Sequence, residues 1–429
     1  MRHTSYRGIR ATECPAAIHV AHHFFIIGFA TGMLGCADLT KVSEPDVVQP
    51  PALNSPAGSL ELRAGAVGQF ANAFGGVVIA TGVLTDELSA VGGSGSQFAQ
   101  EDMRNVPDGL SINATPSTFP YAELQSARIN GLRAIAALQV YNPTMRSQIA
   151  ELFALVAYAE LIMAEDMCDG VPLSSVTNDV PVTGEPVTRL TLLSHARTLF
   201  DSARAYTVSG DSVSELVAVG SGRLLLALDS VSAAAAVVYS VPTGYRYPVQ
   251  YSPTIGPGNP LAYDIYESQS VAVSDREGKN GLAFVSSNDP RVVADSSLGA
   301  PVMLASGVEA RLIEAEEALA AGDANTWLSD LNTLRADSME TQVIGLTPIA
   351  DPVVAASRVD TLFTERAFWL FGTGHRQADL RRFVRQYARP IESVFPTGPY
   401  QYGGYYGTAV DFPVTGERAS GAECISRGP

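Results

Sequence analysis

The chain has 429 residues, 46% of them hydrophobic and 17% charged, and a formal net charge of −16. That much apolar material supports a sizeable core and excludes a disordered chain, and the acidity argues against a nucleic-acid partner or a polybasic attachment to an anionic membrane. Of the six histidines, His3, His19, His22 and His23 precede residue 24, so His195 and His375 alone remain as material for a metal site or proton shuttle; no cofactor is implied.

The first element is an address. Arg2, Arg7 and Arg10 precede an apolar run from Phe24 to Gly35. The run is shorter than the roughly 20 residues that span a bilayer, and it fits the core of a secretory signal, about 7–15 residues. It ends at Met33-Leu34-Gly35-Cys36, which resembles a lipoprotein cleavage box with Met33 in place of the usual leucine. The expected organisation is a signal peptide over 1–35, an acylated Cys36 opening a polar, proline-rich tether over 36–55, and a single helical domain over 56–429.

Apolar residues then recur at helical spacing over Leu60–Phe74, Ala122–Tyr141, Gln148–Asp166 and Leu190–Tyr206. Glu215–Leu228 with Ser232–Tyr239, Glu309–Ala321 with Asn325–Ala336, and Asp360–Phe371 with Gln377–Arg389 read as helix pairs. Their lengths suit tetratricopeptide-type repeats, which bury their apolar faces only by stacking on one another. Between them lie stretches rich in Gly, Pro, Ser, Asn and Tyr, at 92–121, 167–187, 240–305, 337–358 and 390–429. Loops this long in a folded domain are usually functional.

The most specific segment is Thr364-Glu-Arg-Ala-Phe-Trp-Leu-Phe-Gly-Thr-Gly-His-Arg-Gln-Ala-Asp-Leu-Arg-Arg382. It resembles the signature of the SusD/RagB family, an ER-containing helix followed by a Gly-His-Arg turn and an Asp-Leu-Arg-Arg helix. Gly170-Val-Pro-Leu173 and Glu309–Ala336 resemble further family segments in the same order, whereas Gln377-Ala378 replaces an aromatic that the family usually carries. The resemblance implies a mainly α fold, with tetratricopeptide-like helix pairs forming a superhelical scaffold with a loop-rich face. It also implies a non-catalytic outer-membrane lipoprotein, facing the cell exterior, that binds a glycan or other nutrient and delivers it to a TonB-dependent SusC-like transporter. The rival readings are a protein-interaction scaffold and a glycoside hydrolase, the latter requiring two carboxylates set apart across a cleft.

Within the motif, His375 with Glu365 or Asp379 would make a base and its orienter. The arginines around them favour a structural network instead, with Arg376–Asp379 and Asp379–Arg382 spaced to pair on one helical face and Glu365 and Arg366 beside them. Trp369 reads as core. Cys168 and Cys424 are the cysteines left after lipidation of Cys36, and outside the cytoplasm they are expected to pair. Sugar binding needs flat aromatic faces with polar groups at the rim. The candidates are Tyr245, Tyr247, Tyr251, Tyr263, Tyr266 and Tyr402, with Tyr400, Tyr405 and Tyr406 beside the last. Gly92–Ser96 lacks a phosphate-loop ending and reads as a flexible loop, and Asp275–Gly281 as a solvated charged turn.

Overall fold

The computed structural model describes residues 53–107, 118–177, 180–208, 210–254, 258–414 and 424–429. The expected signal, Cys36 and most of the expected tether lie outside the described residues.

Helix α1 spans Pro56–Leu84, started by Pro56 in the first turn and by the Ser55 hydroxyl, which accepts the Gly58 amide at 3.0 Å. The periodic pattern stops at Phe74 because Gly75 and Gly76 follow, yet the helix runs on to Leu84. Both glycines sit where neighbours come too close for a side chain. A Cβ on Gly75 would lie 2.6 Å from the Pro260 ring and one on Gly76 3.2 Å from Pro120. The packing offsets a helix-interior glycine penalty of about 1 kcal/mol each.

Helix α2 (Tyr121–Tyr141) packs on α1, and α3 (Arg146–Asp166) packs on α2. Gly131 lets α2 and α3 approach, since its Cβ would stand 2.4 Å from a Val156 methyl. The buried Arg128 Nε donates to Glu160 Oε1 across the same contact at 2.7 Å. Helices α4 (Arg189–Tyr206), α5 (Ser212–Ala227) and α6 (Val231–Val238) follow, each against its predecessor. Gly220 takes the Phe200 and Tyr158 rings, and Gly222 the Val238 and Ile313 side chains. Small residues at crossings are thus what allow the stacking.

Helices α7 (Gly307–Ala320) and α8 (Ala324–Ala336) form a hairpin; α9 (Ala355–Trp369) packs on α7, and α10 (Arg376–Tyr387) returns to α1 and α3. Ser306 and Asp323 cap α7 and α8 through Glu309 N and Thr326 N. Helices α1 and α3 are long and apolar enough to cross a bilayer, but 72% and 78% of their most apolar windows are buried within the fold. They are the central core helices. The fold is therefore mainly α, built of stacked pairs.

Among the described residues, four small antiparallel ladders punctuate the loops: β1 (Leu88–Ala90) with β7 (Val271–Val273), β2 (Val171–Pro172) with β5 (Pro186–Val187), β3 (Ser175–Thr177) with β4 (Val180–Val182), and β6 (Arg246–Val249) with β8 (Val302–Ser306).

The ER/GHR segment lies where α7, α9 and α10 meet the end of α1. Arg366 grips Asp379 through two bonds of 2.8 and 2.9 Å, and Arg382 adds a third at 3.1 Å. Burial alone would raise the Asp379 carboxyl, but Arg366 and Arg382 hold it below the ordinary carboxylate range. Arg382 also reaches Glu316, which accepts the Tyr387 hydroxyl at 2.7 Å. Glu365 joins Arg291 at 2.8 Å and Arg335 at 2.7 Å. One expected pair does not form. Arg376 turns away from Asp379 and grips Asp86, just beyond α1, through bonds of 2.7 and 2.9 Å. As the first residue of α10, Arg376 points back toward the preceding element rather than along its own helix.

Candidate functional site

His375 is buried and fully engaged. Its Nε2 lies 3.0 Å from both Glu309 Oε1 and Arg223 Nη1, and its Nδ1 lies 2.8 Å from the Thr373 hydroxyl. Arg223 in turn holds Glu165. Glu365 and Asp379, the expected orienters, are bound by arginines instead. A small cleft of about 160 Å³ lies beside His375 and Trp369. Trp369 is half-buried against a secondary core of α7, α8 and α9, with the Arg291 guanidinium 5.0 Å from its ring.

Cys168 and Cys424 are bonded to each other, 256 residues apart. Beside them Cys168 N donates to Phe412 O, Asp169 N to Ser426 O, and Arg381 to Gly428 O, so the C-terminal residues are tied to the end of α3 and to α10.

The candidate tyrosines divide into two groups. Tyr245, Tyr247 and Tyr251 turn their rings onto the main core. Their hydroxyls donate to Ser212 O, Glu151 Oε1 and Ala71 O at 2.9, 2.7 and 2.9 Å. They fasten the central loop to α1, α3 and α5. Tyr263 and Tyr266 are exposed on the short helical segment leading to β7 (49% and 45%), and the Tyr266 hydroxyl holds Ala294 O. Tyr402 and Tyr405 are more exposed still, at 51% and 74%.

The surroundings of Tyr402 form a built site. The hairpin around 398–407 is closed by the Pro399–Tyr405 bridge and turns through Gly403 and Gly404, both at positive φ. Its ends are fastened below. Gly407 N donates to Met103 O, Tyr406 N to Gly398 O, and Lys279 N to Thr397 O. Tyr402 lies against Gly93, where a Cβ would come within 2.9 Å of the ring. The Gly92–Ser96 loop is thus a seat for Tyr402. Tyr400 stacks edge-on with both Tyr402 and Tyr406, at 5.6 and 5.3 Å between centroids, giving a row that runs from solvent into the protein.

Beneath this row lie two buried acids. The Tyr400 hydroxyl donates to Asp102, and the Tyr406 hydroxyl donates to Glu277 at 2.9 Å. Ser274 also donates to Glu277 at 2.9 Å. The two carboxyls act on each other, and burial first, with repulsion from Asp102 second for Glu277, pushes both above the carboxylate range. Two such groups in contact hold one proton between them. The Asp275–Gly281 turn is therefore no mere solvated loop. Its Glu277 is buried, and Gly278, at positive φ, lies so close to Thr397 that a Cβ would meet its amide at 2.7 Å.

Beside the row opens a cleft of about 250 Å³, lined by Ser89, Ser274, Asp275, Arg276, Gln401 and Tyr406 among others. Hydroxyls, an amide, a carboxylate and a guanidinium next to exposed aromatic faces are what a polyhydroxylated ligand requires. Asp102 carries no sequence signal of its own. The Tyr400–Tyr406 cluster with its two glycines was the readable trace of this site.

No protein-family model and no curated protein matches the chain. Solved structures do. A SusD-like carbohydrate-binding protein from Bacteroides fragilis superposes with a TM-score of 0.58 at 13% identity, covering 77% of this chain and 86% of its own. A second SusD-like carbohydrate-binding protein, from Bacteroides vulgatus, gives 0.56 at 12% identity, covering 76% and 83%. A laminarin-binding SusD-like protein gives 0.51 at 13%, covering 78% and 95%. The chain has the SusD-like fold.

Proposed function

We propose that this protein binds a glycan on the face carrying Tyr402 and Tyr405, without transforming it, and passes it to a TonB-dependent SusC-like transporter. In this reading acylated Cys36 holds it at the outer membrane, facing outward. The observation that carries the binding role is the pair of exposed tyrosines on a hairpin fastened from beneath, next to a polar cleft. Rigid aromatics presented this way offer apolar area at little entropic cost, while the rim groups orient hydroxyls. The carbohydrate-binding description of the structural neighbours supports the same ligand class.

A glycoside hydrolase reading fits the acids poorly. Retaining and inverting enzymes keep their carboxyls about 5 Å or more apart, around a bond to be broken. Asp102 and Glu277 act on each other and have their hydroxyl partners in Tyr400 and Tyr406, which close them off.

A glycan-array screen followed by calorimetry tests the proposal. A hit is expected to bind without product release, and replacing Tyr402 and Tyr405 by Ala is expected to weaken it at least tenfold, about 1.4 kcal/mol. Binding unchanged in that variant, or turnover of the hit, would overturn it. A chain that captures the transporter from membranes but no glycan would favour a protein-interaction scaffold.

A further inference from the structure

Arg104 follows the one-turn helix Ala99–Asp102 and adopts a left-handed conformation, φ 52°, unusual for a side chain of its size. It is 2% exposed. Its Nε donates to Ala409 O at 2.9 Å and its Nη1 to Pro396 O at 2.7 Å, with the guanidinium 5.0 Å from the Phe395 ring centroid. Its Nη2 is buried and has no hydrogen-bond partner. No carboxylate among the described residues lies within ion-pair distance of it, and burial pushes the guanidinium down to about 10, with the exposed Glu392 only partly opposing.

This arginine lines a cleft of about 500 Å³, walled by residues 104–106, Ile391, 407–411 and 427–429. The acid in that wall is already engaged. Asp411 accepts Arg427 Nε at 2.7 Å on one oxygen and Gly428 N at 2.8 Å on the other. Arg427 is further held by Asp411 O and Val106 O. The walls at Arg104 and Gly407 are in direct contact, since a Cβ on Gly407 would meet Arg104 O at 2.3 Å. A buried guanidinium that lacks a counter-charge donates strongly to an oxyanion, and a carboxylate or sulfate matches its free N–H better than a neutral hydroxyl does.

We propose that the cleft around Arg104 is a binding site for a small oxyanion, a carboxylate or sulfate group, that engages the free Nη2. The net charge of −16 makes non-specific anion capture unfavourable, so occupancy requires this local feature. The site is separate from the Tyr402 cleft, and the proposal does not rest on the glycan reading.

The full chain is titrated calorimetrically with sulfate, acetate, glucuronate and glucose at constant ionic strength. At least one oxyanion is expected to saturate one site per chain, and glucose to leave that site unoccupied. Glucuronate tighter than acetate identifies an acid sugar as the source; equal affinities identify the free ion. Two variants serve as controls. Arg104→Lys keeps the charge but loses the fork. Thr408→Glu places a competing carboxylate on an exposed wall residue and leaves both backbone bonds of Arg104 in place. Each is expected to weaken the oxyanion at least tenfold, and Tyr402→Ala with Tyr405→Ala to leave it unchanged. No saturable oxyanion binding, or equal binding in Thr408→Glu, would overturn the proposal whatever becomes of the glycan site.

Discussion

Where α7, α9 and α10 pack in the helix stack, five buried arginines meet carboxylates, although Asp166 at the end of α3 is buried with neither oxygen hydrogen-bonded. Arg366 has Asp379, Arg376 has Asp86, Arg382 has Glu316, Arg291 has Glu365 and Arg223 has Glu165. On the loop face Asp411 has Arg427, but two other buried sites lack an opposite charge: Asp102 faces Glu277, and Arg104 has an orphaned Nη2. The scaffold has used its charges to fix how α7, α9 and α10 pack. The loop face has kept electrostatic capacity unsatisfied at the places where a ligand would come. Incomplete pairing is the more informative signal for function, because the chain gains nothing in stability from it.

The sharpest way to break this comparison is to make the scaffold resemble the loop face. Asp379→Ala leaves Arg366 and Arg382 facing each other in the core. A loss of about 3–5 kcal/mol is expected by urea denaturation, as for other buried pairs deprived of one partner. Replacing Arg366 and Asp379 together by Met and Leu is expected to recover much of it. A loss under about 1 kcal/mol in the single variant would mean that water reaches these groups and that the pairs are not structural.

Glu87 stands at the border of the two regions and sharpens the contrast through pH. It is fully buried beside the Arg376–Asp86 pair, accepts Gly372 N at 2.9 Å, and is pushed up to about 8, chiefly by burial. A carboxyl with a raised folded-state value is favoured in its neutral form by the fold. Its contribution is complete below the unfolded value of about 4.3 and is lost as pH rises through about 8. Wild type is expected to lose up to about 5 kcal/mol across that window, and Glu87→Gln to flatten the profile. Identical profiles would show Glu87 to be ionised and satisfied throughout.

How much of this was legible in the sequence follows from the range of each interaction. Helix α4 was readable because Leu192, Ala196, Leu199 and Ala203 repeat within the helix; three of them are buried, with Phe200 buried beside the half-buried Leu199. Asp379–Arg382 was readable because both lie on α10. The Asp86–Arg376 pair was not, because its partners are 290 residues apart and only the fold joins them. The Cys168–Cys424 bond was readable by elimination, since on the expected organisation Cys36 is acylated and Cys14 falls within the expected signal. The tyrosines were visible as a class, but whether a ring faces core or solvent depends on the surface it meets. That is why Tyr247 proved a strut to Glu151 while Tyr402 stayed exposed. Asp102 and Arg104 carried no signal because isolation is a property of surroundings.

The smallest expected effect tests the loop face itself. Asp102 and Glu277 share a proton and, through Tyr400 and Tyr406, fasten the hairpin that presents Tyr402 and Tyr405. Both carboxyls are raised, so the fastening is strongest at acid pH and weakens as pH rises through their shifted values, when the shared proton leaves and two buried negative charges face each other. The Tyr406 and Gly407 amides, bonded to Gly398 O and Met103 O, report the hairpin's closure. Their hydrogen exchange, corrected for intrinsic rate, is expected to lose protection by a few tenths to about 1 kcal/mol over that rise, a size typical of local opening on a surface loop. Asp102→Asn keeps an acceptor for Tyr400 while removing one charge and its repulsion of Glu277, so its loss of protection with pH should be clearly smaller. If wild type and Asp102→Asn lose protection in parallel, the acids are bystanders and the hairpin is held by its backbone bonds alone. The unsatisfied charge of the loop face would then reduce to Arg104.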